Sequence, residues 1–263
     1  MNNDLFEDVK QIARAAGELI LQLRSGKRSV SYKSSRDMVT EVDRASEELI
    51  VAFIRKNYPE HEILAEEGGH HTSGSSEYRW IIDPLDGTTN FVHDFPAFCV
   101  SLAIWKGAQP LTAAVYDPLR EELFSASKGG GAFLNDEPIS VSETAELGKT
   151  LLATGFPYAN DGSFDLNMQI WTEIYGQTQG LRRAGAAALD MAWTACGRLD
   201  GFWEFSLKPW DMAAGVLLIQ EAGGMISSPH LPQFDLFEGN IIASNEKLHA
   251  ALRSKIQSII KPS

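Results

Sequence analysis

The chain has 263 residues and a formal net charge of −12, from 23 basic and 35 acidic side chains. This acidic balance argues against nucleic acid or an anionic membrane surface as the main partner, because both bind basic faces. Hydrophobic residues make up 44% of the chain, which is enough for a large core. We expect residues 1–263 to form one unit, with a soft division near residue 145 between an α+β half and an α/β half.

The cysteines and the N-terminal residues indicate in which cellular compartment the protein works. Cys99 and Cys196 are far apart and lie in apolar runs, which predicts buried free thiols in a reducing environment. Acidic residues occupy the N-terminal stretch where a signal peptide would be basic. No stretch approaches the roughly 18 apolar residues that a membrane-spanning helix needs. We therefore expect a cytoplasmic protein that does not associate with membranes.

Two helices are predicted near the N-terminus. Apolar residues recur at helical spacing over residues 9–23, after an Asp4-x-x-Glu7 pattern typical of a capping box, and residues 25–26 would end this helix. A second helix is predicted to begin at Thr40-x-x-Asp43 and to stop near residue 59.

Short strands follow through the first half of the chain. They are predicted over residues 63–65, 80–82, 98–105, 111–116, 121–126 and 131–134, with an exposed loop over residues 70–76. Because the later strands follow one another without helices between them, we expect an antiparallel or mixed sheet.

The second half mixes helices and strands. The predicted elements are an apolar run over residues 151–156, a small-residue helix over residues 186–196, a helix from residue 210 to residues 223–224, strands over residues 225–227 and 241–243, and a last helix capped by Asn245.

The segment W-I-I-D-P-L-D-G-T-T-N-F at residues 80–91 is the most informative part of the sequence. An apolar strand leads to two carboxylates, Asp83 and Asp86, at a predicted sharp turn. Pro84 fixes the backbone between them, and Gly87 allows a tight turn and the close approach of a ligand. Thr88 then suits the opening of a helix, whose free N–H groups would bind an anion such as phosphate.

Two carboxylates this close together repel each other unless a positive charge lies between them. A hard divalent cation such as Mg²⁺ meets this need, because it prefers oxygen ligands. Zinc fits less well, since the nearest histidine, His93, lacks ligand spacing and is expected to be a surface or structural residue. Asp and Gly also make ordinary turns, so this segment alone leaves both interpretations open.

Other acidic residues lie at the boundaries of apolar elements. Glu66 and Glu67 follow a short strand, and Asp211 begins a helix. Each acid has a simpler interpretation, because acidic pairs are common on surface turns and Asp is a common helix cap. As a set they suggest one site, since a half-buried carboxylate needs a partner.

Four segments together resemble the inositol monophosphatase family. They are D-P-L-D-G-T-T-N at 83–90, W-D-M-A-A-G at 210–215, E-E-G-G at 66–69 and D-M-V-T-E-V-D at 37–43, in the family's order and rough spacing. The run G-R-L-D-G-F-W-E at 197–204 looks most like the bacterial inositol-1-monophosphatase branch. The resemblance implies an α/β (α+β) protein, a layered αβαβα sandwich of the sugar-phosphatase type with mixed or antiparallel sheets.

The resemblance also implies roles for individual residues. Metal ligands would be the side chains of Glu66, Asp83, Asp86 and Asp211 and the backbone carbonyl of Leu85, with Glu67 in the layer behind them. Asp43 would hydrogen-bond Thr88, and this pair would orient the attacking water.

The substrate contacts implied by the resemblance are Asp86, Gly87, Thr88, Gly185, Ala186, Glu204 and Asp211. Gly87 and Thr88 would give N–H groups to phosphate, and Glu204 would accept a hydrogen bond from a sugar-alcohol hydroxyl. Ala186 stands where some relatives have a threonine, so the match is looser at this loop.

The implied activity is a Mg²⁺-dependent phosphomonoesterase that converts inositol 1-phosphate to myo-inositol and phosphate by direct water attack, without a phosphoenzyme. The resemblance also implies lithium sensitivity and a homodimer. Fructose 1,6-bisphosphate, 3′-phosphoadenosine 5′-phosphate and histidinol phosphate remain alternative substrates. Arg182, Arg183 and Lys208 could serve a diphosphorylated nucleotide, although we expect the two arginines to face solvent or a partner subunit.

Two other classes remain possible at this stage. Haloacid-dehalogenase-type phosphatases also combine two Asp residues with Gly-Thr, but their D-x-D pair has one intervening residue, whereas Pro84 and Leu85 intervene here. The acids could also form a structural metal site in a binding or regulatory protein. Thr88 argues against that alternative, because a structural site needs no hydroxyl beside an anion-binding turn.

Overall fold

Five layers of helices and sheets make up the fold. The computed structural model describes residues 2–24, 30–32, 38–71, 76–157 and 162–260. Two helices cover one face of an eight-stranded sheet, two more lie between this sheet and a five-stranded sheet, and a last pair covers the far face. This arrangement confirms the predicted αβαβα sandwich.

The first outer layer is formed by α1 (Asn2–Arg24) and α2 (Glu41–Asn57), which pack on the eight-stranded sheet. α1 begins at Asn2, so the predicted capping box is wrong and Asp4 lies within the first turn, where its charge favours the helix dipole. The predicted helix end at residues 25–26 and Asp37 of the 37–43 motif lie outside the described residues. The predicted start of α2 at Thr40 is confirmed, and it is a capping box in which Thr40 N donates to Asp43 Oδ2 at 2.8 Å.

The eight-stranded sheet is mixed, because β3 and β5 are parallel and the other neighbours are antiparallel. Its order is β10-β9-β8-β7-β6-β5-β3-β4. The strands are β3 (Glu62–Ala65), β4 (Gly69–His71), β5 (Tyr78–Asp86), β6 (Cys99–Lys106), β7 (Gln109–Asp117), β8 (Glu122–Ser127), β9 (Gly131–Leu134) and β10 (Glu137–Pro138), and β1 (Val30–Tyr32) and β2 (Met38–Thr40) form a separate hairpin.

Part of the predicted loop over residues 70–76 is a strand. β4 pairs with β3 through His71, and residues 72–75 lie outside the described chain. Backbone pairing with a neighbouring strand therefore overrides the polar composition that indicated a loop.

The middle layer consists of α5 (Ala187–Ala195) and α6 (Pro209–Glu221), both predicted and both largely buried. A short helix, α3 (Thr88–Val92), follows β5. The five-stranded sheet has the order β12-β11-β13-β15-β14 and is also mixed. Its strands are β11 (Leu151–Thr154), β12 (Gly180–Arg182), β13 (Gly201–Glu204), β14 (Gly224–Ser227) and β15 (Ile241–Asn245).

The last layer consists of α4 (Ser163–Tyr175) and α7 (Glu246–Ile260). α7 is capped as predicted, since Leu248 N donates to Asn245 Oδ1 at 2.9 Å. α4 was not predicted. It exposes Phe164, Met168 and Tyr175 while burying Asn167, which obscures the apolar periodicity that normally reveals a helix.

Both cysteines are free thiols, with Cys99 buried and Cys196 half-buried. Burial raises the pKa of both thiols. No helix within the described ranges combines the length and apolarity that crossing a membrane requires.

His249 connects α7 to the sheet beneath it through two hydroxyl groups. Its Nδ1 lies 2.9 Å from Ser244 Oγ and its Nε2 lies 2.8 Å from Ser227 Oγ. Burial, with a smaller contribution from Arg253, lowers the pKa of His249 to about 4. The imidazole is therefore neutral in the folded protein near pH 7.

This lowered pKa predicts a loss of stability in acid. The unfolded chain binds a proton at His249 near pH 6.5, so stability is complete above that pH and falls as the pH approaches 4, by up to about 3 kcal/mol. His249→Gln should lose part of its stability at pH 7 but show a smaller fall between pH 7 and pH 5. Urea unfolding of both proteins at the two pH values measures this. An identical pH dependence would show that another group is responsible.

Candidate active site

A bulge at the end of β5 positions two carboxylates. Asp83 pairs with Ser101 and Asp86 with Cys99, and the register shifts between them. Pro84 lies within this shift, where its lack of an N–H breaks no ladder hydrogen bond. The two acids thus belong to the strand end itself rather than to the turn that the sequence predicted.

Gly87 joins β5 to α3 in a conformation that requires glycine. Its φ is +90°, and an added Cβ would lie 2.8 Å from the carbonyl oxygen of Ala97. Gly87 is the N-cap of α3 and has no side chain to cap the first turn. No side chain therefore caps the first N–H groups of α3, and their binding of an anion stays a prediction.

The predicted pair of Asp43 and Thr88 is present. Thr88 Oγ1 lies 2.8 Å from Asp43 Oδ1 and 3.1 Å from the carbonyl oxygen of Leu85. Asp43 is 1% exposed, and its Oδ2 accepts hydrogen bonds from the N–H and hydroxyl of Thr40. Burial raises the pKa of Asp43, although these hydrogen bonds oppose the change.

Two more polar side chains on the same face of α2 hold the backbone near the acids. Ser46 Oγ donates to the carbonyl oxygen of Pro84 at 2.9 Å. Glu47 Oε2 accepts from the N–H of Glu67 at 2.9 Å. One helix therefore fixes both the Asp83–Thr88 segment and the turn that contains Glu66.

Asp211 and Asp86 are held by backbone groups from the second half of the chain. Asp211 Oδ2 accepts from Lys208 N at 2.7 Å, so Asp211 does cap α6. Asp86 Oδ2 accepts from Ala188 N of α5 at 2.8 Å. The cap does not exclude a second role, because Asp211 also interacts electrostatically with Asp86.

The acids from these elements repel one another. Burial, followed by the charges of Glu66, Asp86 and Asp211, raises the pKa of Asp83 well above its ordinary value. Burial and Glu66 also raise the pKa of Asp86 to about 6, although the Ala188 N–H opposes this shift. Such repulsion is relieved by a cation, and an all-oxygen donor set suits a hard divalent ion.

The side chains do not form a closed metal cage as they stand. Among the described residues, no group of three or more His, Cys, Asp or Glu side chains is gathered closely enough to hold an ion. The donor set and the mutual repulsion nevertheless fit a metal, because binding would replace repulsion with attraction.

A small hollow of about 90 Å³ adjoins the acids. Both halves of the chain contribute to its lining, which includes Asp86, Arg183, Gly185, Ala186, Asp190, Glu204 and Asp211. Arg183 lines this hollow and is also exposed to solvent, as expected, so it lies at the rim of the hollow. Its guanidinium lies against Gly185, where an added Cβ would be 2.3 Å from Nη1. Arg182 is exposed, as expected.

Glu204 at the end of β13 packs against the backbone of Gly155. A Cβ on Gly155 would lie 2.1 Å from Glu204 Oε1. Gly155 is itself held, because Asn167 Nδ2 donates to its carbonyl oxygen at 2.5 Å and Asn167 Oδ1 accepts from Trp203 Nε1 at 2.7 Å. Burial raises the pKa of Glu204 well above its ordinary value.

Sequence reasoning missed several residues at this site. Ser46 and Glu47 carried a usable signal, because they lie three and four positions after Asp43 and share its helix face. Asn90 gave no local signal of its role. Its Nδ2 donates to the carbonyl oxygens of Ala97 at 2.6 Å and Ala184 at 2.8 Å, and Ala184 lies 94 positions away in the sequence.

Comparison with known proteins identifies the family. The model of the inositol monophosphatase family matches residues 2–261. The chain belongs to the inositol monophosphatase family.

Individual relatives in this family have two kinds of name. A Nus factor SuhB from Pseudomonas aeruginosa is 49% identical over 260 residues, which cover 95% of each chain. An inositol-1-monophosphatase from Synechocystis is 45% identical over 94% of this chain and 86% of its own. The solved structure of extragenic suppressor protein suhB from Bartonella henselae has a TM-score of 0.92 and 37% identity, over 97% of this chain and 98% of that one.

Membership of the inositol monophosphatase family supports a phosphatase, and this family is metal-dependent. A phosphorylated small molecule is the class of substrate consistent with this membership. Metal-dependent phosphatase chemistry is consistent with the donor set of mutually repelling carboxylates at this site.

The contact between Gly155 and Glu204 predicts a change in substrate preference. In Gly155→Ala the new methyl group would displace the Glu204 carboxylate, because Asn167 holds the backbone in place. If Glu204 contacts the alcohol part of the substrate, kcat/KM for a polyol phosphate should fall by up to about 100-fold while that for an aryl phosphate changes little.

Gly176→Ala is the matched control, because a Cβ there meets nothing within 4 Å. Steady-state kinetics on both substrates measure the effect. An unchanged preference in Gly155→Ala would remove Glu204 from the substrate contacts.

Proposed function

We propose that the chain is a Mg²⁺-dependent phosphomonoesterase for small phosphorylated polyols, with inositol 1-phosphate as its preferred substrate. Water attacks phosphorus directly, without a phosphoenzyme. The observation that supports this most is the hydrogen bond from Thr88 Oγ1 to Asp43 Oδ1, next to mutually repelling acids.

The metal would be held by oxygen atoms alone. The proposed ligands are Glu66, Asp83, Asp86, Asp211 and the carbonyl oxygen of Leu85, with Glu67 behind them. When bound, divalent cations lower the pKa of a water and stabilise negative charge on the phosphoryl group. The absence of sulfur and nitrogen ligands from this set favours Mg²⁺ over zinc.

Thr88 and Asp43 prepare the water in this proposal. Because the Thr88 hydroxyl donates to Asp43 Oδ1, its oxygen is left to accept a hydrogen bond from water. Asp43 then receives proton density through the hydroxyl, and its raised pKa favours that step. The first-turn N–H groups at Gly87 and Thr88 bind the phosphate oxygens.

The alcohol part of the substrate occupies the hollow beside Glu204. Gly185, Ala186 and Asp211 line it, and Glu204 accepts a hydrogen bond from a hydroxyl. Arg183 is the one cation among the described residues that line this hollow, which favours a polyol monophosphate over a diphosphorylated nucleotide that would need more positive charge. Fructose 1,6-bisphosphate and histidinol phosphate are smaller than the nucleotide and remain alternatives, so the assay must distinguish them from inositol 1-phosphate.

We also propose that residues 1–263 act as one phosphatase unit, since both halves line the same hollow. A homodimer and lithium inhibition belong to the same proposal and rest on family membership alone. Sedimentation velocity and lithium titration of the activity measure them.

A panel of phosphate monoesters tests the proposed activity. With Mg²⁺ present, inositol 1-phosphate should give the highest kcat/KM, and chelation of the metal should abolish turnover of every substrate. Phosphate release is measured for inositol 1-phosphate, fructose 1,6-bisphosphate, 3′-phosphoadenosine 5′-phosphate, histidinol phosphate and 4-nitrophenyl phosphate. If none is hydrolysed, the acids form a structural metal site instead.

Removal of the Thr88 hydroxyl should slow the chemical step. Thr88→Ala should lower kcat by about 100-fold or more, because general acid–base assistance is worth roughly 10²–10⁴. KM should change little, and Thr88→Ser should recover most of the rate. Thr89→Ala, the neighbouring residue of α3, is the control. A rise in KM without a fall in kcat would make Thr88 a binding residue only.

A second candidate function comes from the relatives called Nus factor SuhB, one of which is 49% identical to this chain. A Nus-factor role in the cell need not depend on hydrolysis. Replacement of the gene by the Thr88→Ala form separates the two, because a phosphatase role is then lost and a binding role is kept.

A further inference from the structure

Asp190 is a buried acid that no role described so far explains. It lies in α5 and is 1% exposed. Its Oδ1 has no hydrogen-bond partner within the described parts of the chain. A buried, unpaired carboxylate oxygen is costly, so such groups are rare unless a ligand or water completes them.

Other buried or half-buried aspartates of this chain are satisfied by backbone donors. Six accept a hydrogen bond from a main-chain N–H: Asp43, Asp83, Asp86, Asp117, Asp200 and Asp211. Half-buried Asp8 accepts one from the hydroxyl of Tyr58 instead. Asp190 differs from them, although it belongs to a well-packed helix between two sheets. Poor local packing therefore does not explain its unpaired oxygen.

The position of Asp190 indicates what would complete it. It lines the same hollow as Glu204, Gly185 and Arg183, on the side that takes the alcohol part of the substrate in the proposed function. Arg183 is the only cation among the described residues that line this hollow. Burial raises the pKa of both Asp190 and Glu204, and the charge of Arg183 opposes this rise, so an uncharged donor such as a hydroxyl suits both carboxyl groups.

We propose that Asp190 is a specificity-determining residue that accepts a hydrogen bond from a second hydroxyl of the polyol. This hydroxyl would lie beside the one that donates to Glu204. This inference rests on the proposed function. It extends the recognition site beyond the contacts implied by the family resemblance. Two carboxylates on one hollow select substrates with at least two hydroxyl groups near the phosphate ester.

The experiment compares two substrates in Asp190→Ala and Asp190→Asn. Asp190→Ala should lower kcat/KM for inositol 1-phosphate by about tenfold or more, mainly through KM, as expected when a buried hydrogen-bond acceptor is lost. Turnover of 4-nitrophenyl phosphate, which has no hydroxyl, should change by less than about twofold. Asp190→Asn should fall between Asp190→Ala and the wild type, because a neutral amide oxygen accepts more weakly.

Thermal unfolding provides a second readout. The Tm of Asp190→Asn should equal or exceed that of the wild type, because an amide costs less to bury than a carboxyl group whose Oδ1 has no hydrogen-bond partner among the described residues. A purely structural role would lower Tm instead. Thr194→Val is the matched control, because Thr194 is buried in the same helix and its hydroxyl donates to the Asp190 carbonyl oxygen, away from the hollow lining. It should leave the ratio of the two kcat/KM values unchanged.

Several outcomes would overturn the proposal for Asp190 and leave the phosphatase intact. They are equal losses on both substrates, no loss on inositol 1-phosphate, or a larger loss on histidinol phosphate, whose amine would then be the group recognised. A wild-type protein that hydrolyses none of these substrates would instead refute the proposed function itself.

Discussion

Electrostatic repulsion between carboxylates dominates the region where the two sheets meet. Four acids lie there, and negative charges among them raise the pKa of neighbouring members. They are Asp83 and Asp86 from β5, Glu66 after β3 and Asp211 from α6. Asp83, Asp86 and Asp211 are each restrained by a backbone N–H and cannot simply turn away. A bound cation would relieve this repulsion, and in the proposed function the same cation supplies the positive charge that the chemistry needs.

Helix α2 shows how a rigid element holds a reactive arrangement. Asp43, Ser46 and Glu47 lie on its buried face and reach Thr88, the carbonyl of Pro84 and the N–H of Glu67. The remaining buried positions of the helix are apolar and pack against the eight-stranded sheet. The apolar residues of this helix therefore pack against the sheet, while its polar residues hold the segments that carry the proposed catalytic groups.

Local signals explain what the sequence could predict. The five-layer architecture and the pairing of Asp43 with Thr88 followed from motifs and their resemblance to a family, and caps such as Thr40 and Asn245 marked helix starts. α4 was not predicted, because its exposed aromatic residues obscure the helical periodicity. The predicted N-cap at Asp4 was wrong, because α1 begins at Asn2, two positions before Asp4. The orientation of Arg183 and the unpaired Asp190 depend on residues distant in sequence, which no local pattern reveals.

Asn90 connects two walls of the candidate site through hydrogen bonds, so a shift of one wall affects the other. Its single amide group joins the short helix that begins at Thr88 to the carbonyl oxygens of Ala184 and Gly185 on the opposite wall. In the proposed function, the segment that prepares the attacking water and the segment that lines the alcohol pocket are therefore joined by the hydrogen bonds of one side chain. A mutation that reshapes the 184–187 segment to admit a larger alcohol would also pull on the Thr88 helix. Divergence toward bulkier substrates would then require compensating change at Asn90.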